Sequence, residues 1–199
     1  MERGKFIVFE GCDRSGKSTQ VDILYTMLNN AGIPCFKIAF PYYDTPIGKL
    51  LKERLMNGGD PAEMHLLFVA NRYELQNTIF QKLNDGITVL CDRYKASGIT
   101  YGVASGLDEE WIVDCDSINM EPDFVVYIDI DPVEASKRAD YGNGGIYEQI
   151  EFQQLIRTYY LTLIEDNWIV INSNGKNIVD LHAEISYKLF NVISFINKY

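Results

Sequence analysis

Three groups of residues in this chain have the types and spacing to do chemistry. Gly11-Cys12-Asp13-Arg14-Ser15-Gly16-Lys17-Ser18 fits G-x-x-x-x-G-K-[ST], a loop that wraps phosphate. Its glycines let backbone N–H groups turn toward phosphate oxygens, and the positive end of a following helix adds to the attraction. Lys17 supplies a cation for β- and γ-phosphates, and Ser18 a hydroxyl for Mg²⁺. Asp92-Arg93-Tyr94 follows the apolar run Ile87–Cys91. A carboxylate at such a strand end can hold Mg²⁺ through water, and an arginine there can grip phosphate with two N–H groups. Phe68 and Arg72 are four residues apart in a helical pattern and so share a face. A ring and a guanidinium side by side suit a planar base, one stacking and the other donating hydrogen bonds.

Short apolar runs must carry these groups: Phe6–Phe9, Phe36–Phe40, Ile87–Cys91, Phe124–Ile130 and Trp168–Ile171. Helical patterns fill the gaps, which predicts an α/β fold with a parallel sheet covered on both faces. Right-handed crossovers put every strand's carboxyl end on one edge, where such sheets bind ligands. The first helix is predicted from about Lys17 to Asn30, and another from Pro46 to the Asn57-Gly58-Gly59 stop. Asp60-Pro61-Ala62-Glu63 reads as a capping-box helix start, with one long helix reaching about Asn84. The last helix is expected from about Ile178 to Ile196. The glycine-rich stretch Asp140–Ile146 lies between two helices and reads either as a plain loop or as a lid over a nucleotide.

The 199 residues suit one domain, and no repeat or linker divides them. A net charge of −10 argues against nucleic acid as a partner. Positive charge for an anionic ligand must then be gathered locally, with Arg14, Lys17, Arg72, Arg93, Lys95 and Arg138 as candidates. The four cysteines lack metal or disulfide-scaffold spacing and read as free thiols, Cys12 and Cys91 as small buried groups. No apolar stretch reaches membrane-spanning length and no secretory leader is visible, so the cytoplasm is the expected compartment. A GTPase-type switch would need an Asn/Thr-Lys-x-Asp motif, and none is present.

Taken together, these segments resemble the thymidylate kinase family. The resemblance rests on Phe9–Gln20, Phe40-Pro41, Leu66–Glu74, Asp92–Gly98, Pro122-Asp123 and Tyr147-Glu148, in the family's order along nearly the whole chain. It implies a three-layer P-loop kinase fold, with a five-stranded parallel sheet, a phosphate loop at 11–18 and a short lid at about 140–148. It also implies transfer of the γ-phosphoryl of ATP to dTMP with Mg²⁺, by a homodimer. Other nucleoside monophosphate or deoxynucleoside kinases, and an inactive nucleotide-binding relative, are the competing readings. Arg14 inside the loop is similar to the eukaryotic and poxviral branch. By that resemblance Arg14, Lys17, Asp92 and Arg93 are catalytic, and Ser18 and Asp92 hold the metal. Gly11, Asp13, Arg14, Ser15, Gly16, Lys17, Ser18, Thr19 and Arg138 would bind ATP and its phosphates. Asp13, Phe40, Phe68, Arg72, Arg93, Ser97, Gly98, Tyr101 and Tyr147 would bind dTMP, with Arg72 donating to thymine O4 and Tyr101 crowding the 2′ position. The family usually has arginine two residues after Pro41; here Tyr43 stands there. Lys95 is the candidate that would partly replace it, set against the slightly favoured reading of a solvated surface lysine.

Overall fold

The computed structural model describes residues 2–138 and 149–192. Five strands form one sheet in the order β2-β3-β1-β4-β5: β1 (Phe6–Glu10), β2 (Cys35–Ala39), β3 (Thr88–Asp92), β4 (Phe124–Asp129) and β5 (Trp168–Asn172). Every neighbouring pair is parallel. The register sets Phe9 opposite Asp92, and Ala39 opposite the same Asp92. The ends of β1, β2 and β3 are therefore level, and the phosphate loop lies beside Asp92-Arg93 and Phe40.

Alternation along β1 supplies two cores. Ile7 and Phe9 pack with Val21, Leu24 and Leu28 of α1 (Lys17–Asn30) and with Leu181, Ile185 and Leu189 of α9 (Ile178–Val192). Phe6 and Val8 face the other way, against Ile79 and Leu83 of α4 (Gln76–Asn84) and against Phe40 and Tyr94. A third cluster joins Tyr127 and Ile130 to Ile156 and Tyr160 of α8 (Ile150–Thr162). Each fully buried Leu, Ile or Phe contributes about 1.5–3 kcal/mol, so helices on both faces are held by apolar area.

The helix predicted from Pro61 to about Asn84 is two helices, α3 (Pro61–Glu74) and α4, parted at Leu75. Leu75 N–H bonds back to Arg72 O at 3.2 Å, and Ile79 N–H restarts the ladder on Leu75 O at 3.0 Å. No glycine or proline marks the break. Packing makes it: α4 turns down onto the sheet, while α3 stays over the site. Asp60 caps α3 as expected, accepting from Ala62 and Glu63 N–H. Glu63, expected to close a capping box, instead pairs with Arg54 at 3.1 Å. The helix α2 (Pro46–Asn57) ends at Gly58, as its glycines predicted. The far end expected for the last helix, at Ile196, lies outside the described residues, as does the glycine-rich stretch.

Candidate active site

The loop between β1 and α1 is built on backbone that few residues tolerate. Gly11 has φ 147°, and a Cβ there would lie 2.5 Å from Ile128 O. Arg14 (φ 61°) and Arg93 (φ 64°) are the non-glycine residues with positive φ among those described. Such strain concentrates at functional sites, and both residues face the same loop region.

Lys17 is buried and donates to Gly11 O (2.9 Å), Cys12 O (2.7 Å) and Ser15 Oγ (3.3 Å). Burial, aided by Arg93, lowers its pKa to about 8. Burial pushes the Cys12 thiol up to about 12, so it stays neutral, and the Cys91 thiol is raised as well. Ser18 and Thr19 are exposed in the first turn of α1, and the Ser18 hydroxyl donates to Asp92 Oδ2. Arg138 Nη1 donates to Arg14 O at 2.7 Å, and its Nη2 to Ser173 O at 3.3 Å, bracing the loop from the α7 (Pro132–Ala135) side.

Arg93 pairs with Asp13 and donates to Ser97 Oγ at 3.2 Å, while its guanidinium lies 5.4 Å from the centre of the Tyr101 ring. Burial works against its charge, but Tyr101, Asp13 and other partners outweigh that and keep it protonated. Tyr101 sits on α5 (Lys95–Ala104), and burial raises its hydroxyl's pKa.

Beside the loop opens a cavity of about 260 Å³. Asp13, Phe40, Phe68, Arg72, Arg93, Ser97, Gly98 and Tyr101, all expected at the acceptor site, line it together. Tyr147 lies outside the described residues. Leu55, Met64, His65 and Gly102 complete the apolar end and had no role in the sequence reading.

Lys95 is not among the lining residues: its ammonium pairs with Glu121. Its pairing with Glu121 sets it apart from the cavity lining, which counts against its substituting for the missing arginine. Tyr43 does line the cavity, with Lys52 5.8 Å from the centre of its ring.

Four further polar residues hold the site and were missed. Glu10 ends the apolar strand β1, fully buried; it accepts from Tyr94 N (2.8 Å), Ser97 N (3.2 Å), Ser97 Oγ (2.6 Å) and Tyr160 OH (2.9 Å). A charge closing an apolar strand at the ligand edge was its available signal. Gln153 of α8 accepts from Asp13 N at 2.9 Å and donates to Asp13 Oδ2 (3.1 Å) and Tyr101 OH (3.2 Å). Asn71 clamps the Tyr42 backbone through both of its polar groups, at 2.8 and 2.9 Å. Asp116, the last residue of α6 (Glu109–Asp116), takes two nitrogens of Arg72.

The thymidylate kinase family profile matches residues 9–185. A thymidylate kinase of Dictyostelium discoideum is 40% identical over 190 residues, covering 94% of this chain and 85% of that protein. The chain belongs to the thymidylate kinase family. Thymidylate kinases of Plasmodium falciparum (42% identical over 188 residues, 92% of this chain and 89% of that one) and Homo sapiens (35% over 189 residues, 92% and 88%) are also similar. Among solved structures, thymidylate kinase from Candida albicans superposes with a TM-score of 0.82 at 32% identity, covering 98% of this chain and 93% of that one. Family and fold thus agree with a P-loop kinase whose phosphate loop and lined cavity sit on the same sheet edge.

Proposed function

We infer that the cavity receives dTMP and that the loop at 11–18 receives ATP, so that the chain transfers the γ-phosphoryl of ATP to dTMP. The observation carrying this reading is the shared cavity: a ring (Phe68), donors (Arg72, Arg93) and a sugar-side hydroxyl (Tyr101) converge within reach of the phosphate loop. Two anionic phosphates must meet in line, so Lys17, Arg14 and Arg93 offset their repulsion while positioning supplies the rest of the rate. Lys17 would exchange its loop carbonyls for phosphate oxygens. Arg14 would bridge the phosphates, and Arg93 would grip the acceptor's. Asp13, held by Gln153 and Arg93, would accept a hydrogen bond from the 3′-hydroxyl. Arg138 would serve the ATP side by keeping the loop in place. No protein nucleophile is needed.

Ser18 and Asp92 fit Mg²⁺. Asp92 Oδ1 is buried without a hydrogen-bond partner among the described residues, an oxygen with lone pairs to spare beside a hydroxyl, and Mg²⁺ in such sites uses few protein oxygens and several waters. When bound, the ion would supply charge neutralisation on the phosphates.

Exposed Leu66 and Tyr73, seven residues apart on α3, support a homodimer face. The acidic net charge supports a protein that leaves nucleic acid alone, and no helix of the described residues is long and apolar enough to cross a membrane. Cys12, Cys35, Cys91 and Cys115 are unpaired, which suits a reducing compartment, and we assign the cytoplasm. Residues 1–199 then act as one catalytic domain. ADP release measured with ATP and a panel of nucleoside monophosphates tests the activity. The highest kcat/KM is expected with dTMP; a higher value with another monophosphate overturns the acceptor assignment.

A further inference from the structure

Arg72 reaches the cavity wall with little of its guanidinium left to use. The Asp116 carboxylate, fully buried, accepts from Nε at 3.0 Å and from Nη2 at 2.7 and 2.6 Å. Asn119 Nδ2 donates to the same carboxylate at 3.0 Å and to Val69 O at 3.3 Å, tying Asp116 to α3. Nη1 donates to none of the described residues. Gly98 lets the ion pair lie close against α5: a Cβ there would lie 2.8 Å from Nη2, 3.1 Å from Asp116 Oδ2 and 3.2 Å from Nη1. The guanidinium is thus laid against the α5 backbone and held by one edge.

We propose that Asp116 is a positioning residue for base selection: by occupying Nε and Nη2 it leaves Nη1 as the donor fixed toward the ring, so the cavity reads a ring oxygen and refuses an amino group there. The proposal rests on the reading that Arg72 meets the pyrimidine. A guanidinium has five N–H donors and no acceptor, so it can never satisfy an amino group. Refusal also requires that it be unable to swing away. A free arginine side chain has several rotatable bonds and could retreat from a mismatched ring; a buried two-point ion pair prevents that. Unpaired donors at a buried polar contact are what give strong discrimination between analogues of equal size.

dUMP and dCMP carry an oxo and an amino group respectively at the ring position in question (with N3 protonated in the first and bare in the second), and can be compared as substrates or as competitive inhibitors against dTMP. For Asp116→Asn, the preference for dUMP over dCMP is expected to fall about tenfold or more, in the range that loss of an oriented hydrogen bond produces. KM for dTMP should rise, while KM for ATP stays within about twofold, as loss of a contact confined to the acceptor requires. A role in stability alone would lower Tm and leave the base preference unchanged, and that result overturns the proposal. Arg72→Gln separates the two readings. If it abolishes the preference while Asp116→Asn keeps it, Arg72 reads the base without help from Asp116. If Arg72→Gln keeps it too, the base reading of Arg72 fails and the proposal with it. Should Asp116→Asn not fold, Asn119→Ala loosens the same carboxylate and should erode the preference in the same direction; an unchanged preference there also overturns the proposal.

Discussion

Replacing Glu10 tests whether this site is held by its buried carboxylate. Two backbone donors, Tyr94 N and Ser97 N, end on Oε1, while two hydroxyls, Ser97 Oγ and Tyr160 OH, end on Oε2. That division predicts unequal costs for two variants of similar size. In Glu10→Gln the amide oxygen can keep both backbone N–H groups, and the NH₂ can donate to hydroxyls that rotate to accept. The loss is charge assistance, about 1–2 kcal/mol. In Glu10→Leu the side chain fills the volume, keeps water out and leaves both N–H groups without partners. At about 1–3 kcal/mol for each buried unsatisfied group, the cost is about 2–6 kcal/mol. For a chain of this length each kcal/mol shifts Tm by about 2–4 °C. Thermal unfolding should therefore drop by about 2–8 °C for Gln and by about 4–24 °C for Leu, always in that order. Activity should follow the same order, because Tyr94 and Ser97 flank the start of α5 and Arg93 donates to Ser97 Oγ. Equal Tm values for the two variants, or a Leu variant as stable as wild type, would refute the accounting.

Lys17→Met should cost at least about 10²–10³-fold in kcat/KM, as for other preorganised charge contacts, while Tm stays level or rises. The sign follows from its pKa: folded at about 8 against 10.5 unfolded, Lys17 opposes folding below pH 8, and that cost fades as pH rises between the two values. For the same reason kcat/KM for ATP should fall along a basic limb near pH 8, whereas kcat should hold to higher pH because bound phosphates retain the proton; a flat profile to pH 10 would contradict this. Tyr101→Ala should narrow the gap between deoxyribo and ribo forms of thymidine monophosphate, read as a ratio of kcat/KM values; an unchanged ratio places that discrimination elsewhere. Arg138→Ala removes the brace on Arg14 O and should raise KM for ATP with little change in KM for dTMP; equal changes in both would sink the assignment to the ATP side.

The sheet and phosphate loop were legible because both are local. Short continuous apolar runs report strands buried on two faces, and the loop's glycines and lysine follow one another in the chain. The residues that hold the site are not local. Gln153 meets Asp13 from 140 residues away, and Arg138 meets the Arg14 carbonyl from 124. Asp116 sits in a helix with Asp108, Glu109, Glu110 and Asp114 around it, and nothing in the pattern distinguishes the one carboxylate that turns inward. The break at Leu75 was hidden for a related reason, since tertiary packing made it and no breaker residue marks it.

Lys95 shows how a charge count misleads. Six cations were expected to gather for an anionic ligand, but a cation does so only where the fold leaves it facing the ligand. Lys95 begins α5, two residues after Arg93, yet Arg93 turns toward Asp13 and Lys95 toward Glu121. Arg93's positive φ marks the sharp change in backbone direction between the strand and that helix. Neither an arginine at the family's usual place nor Lys95 is among the residues that line the cavity. Of the cations expected from the sequence, Arg72 and Arg93 line the cavity, and Arg72 is committed to Asp116. On the proposed reading the acceptor phosphate's charge would fall to Arg93, with Tyr43 able to offer a neutral hydrogen bond about half as strong as a charge-assisted one. Arginine restored by Tyr43→Arg should accordingly lower KM for dTMP, whereas Lys95→Ala should leave it unchanged. A rise in KM for dTMP with Lys95→Ala would show that the ammonium leaves Glu121 for the phosphate when substrate binds.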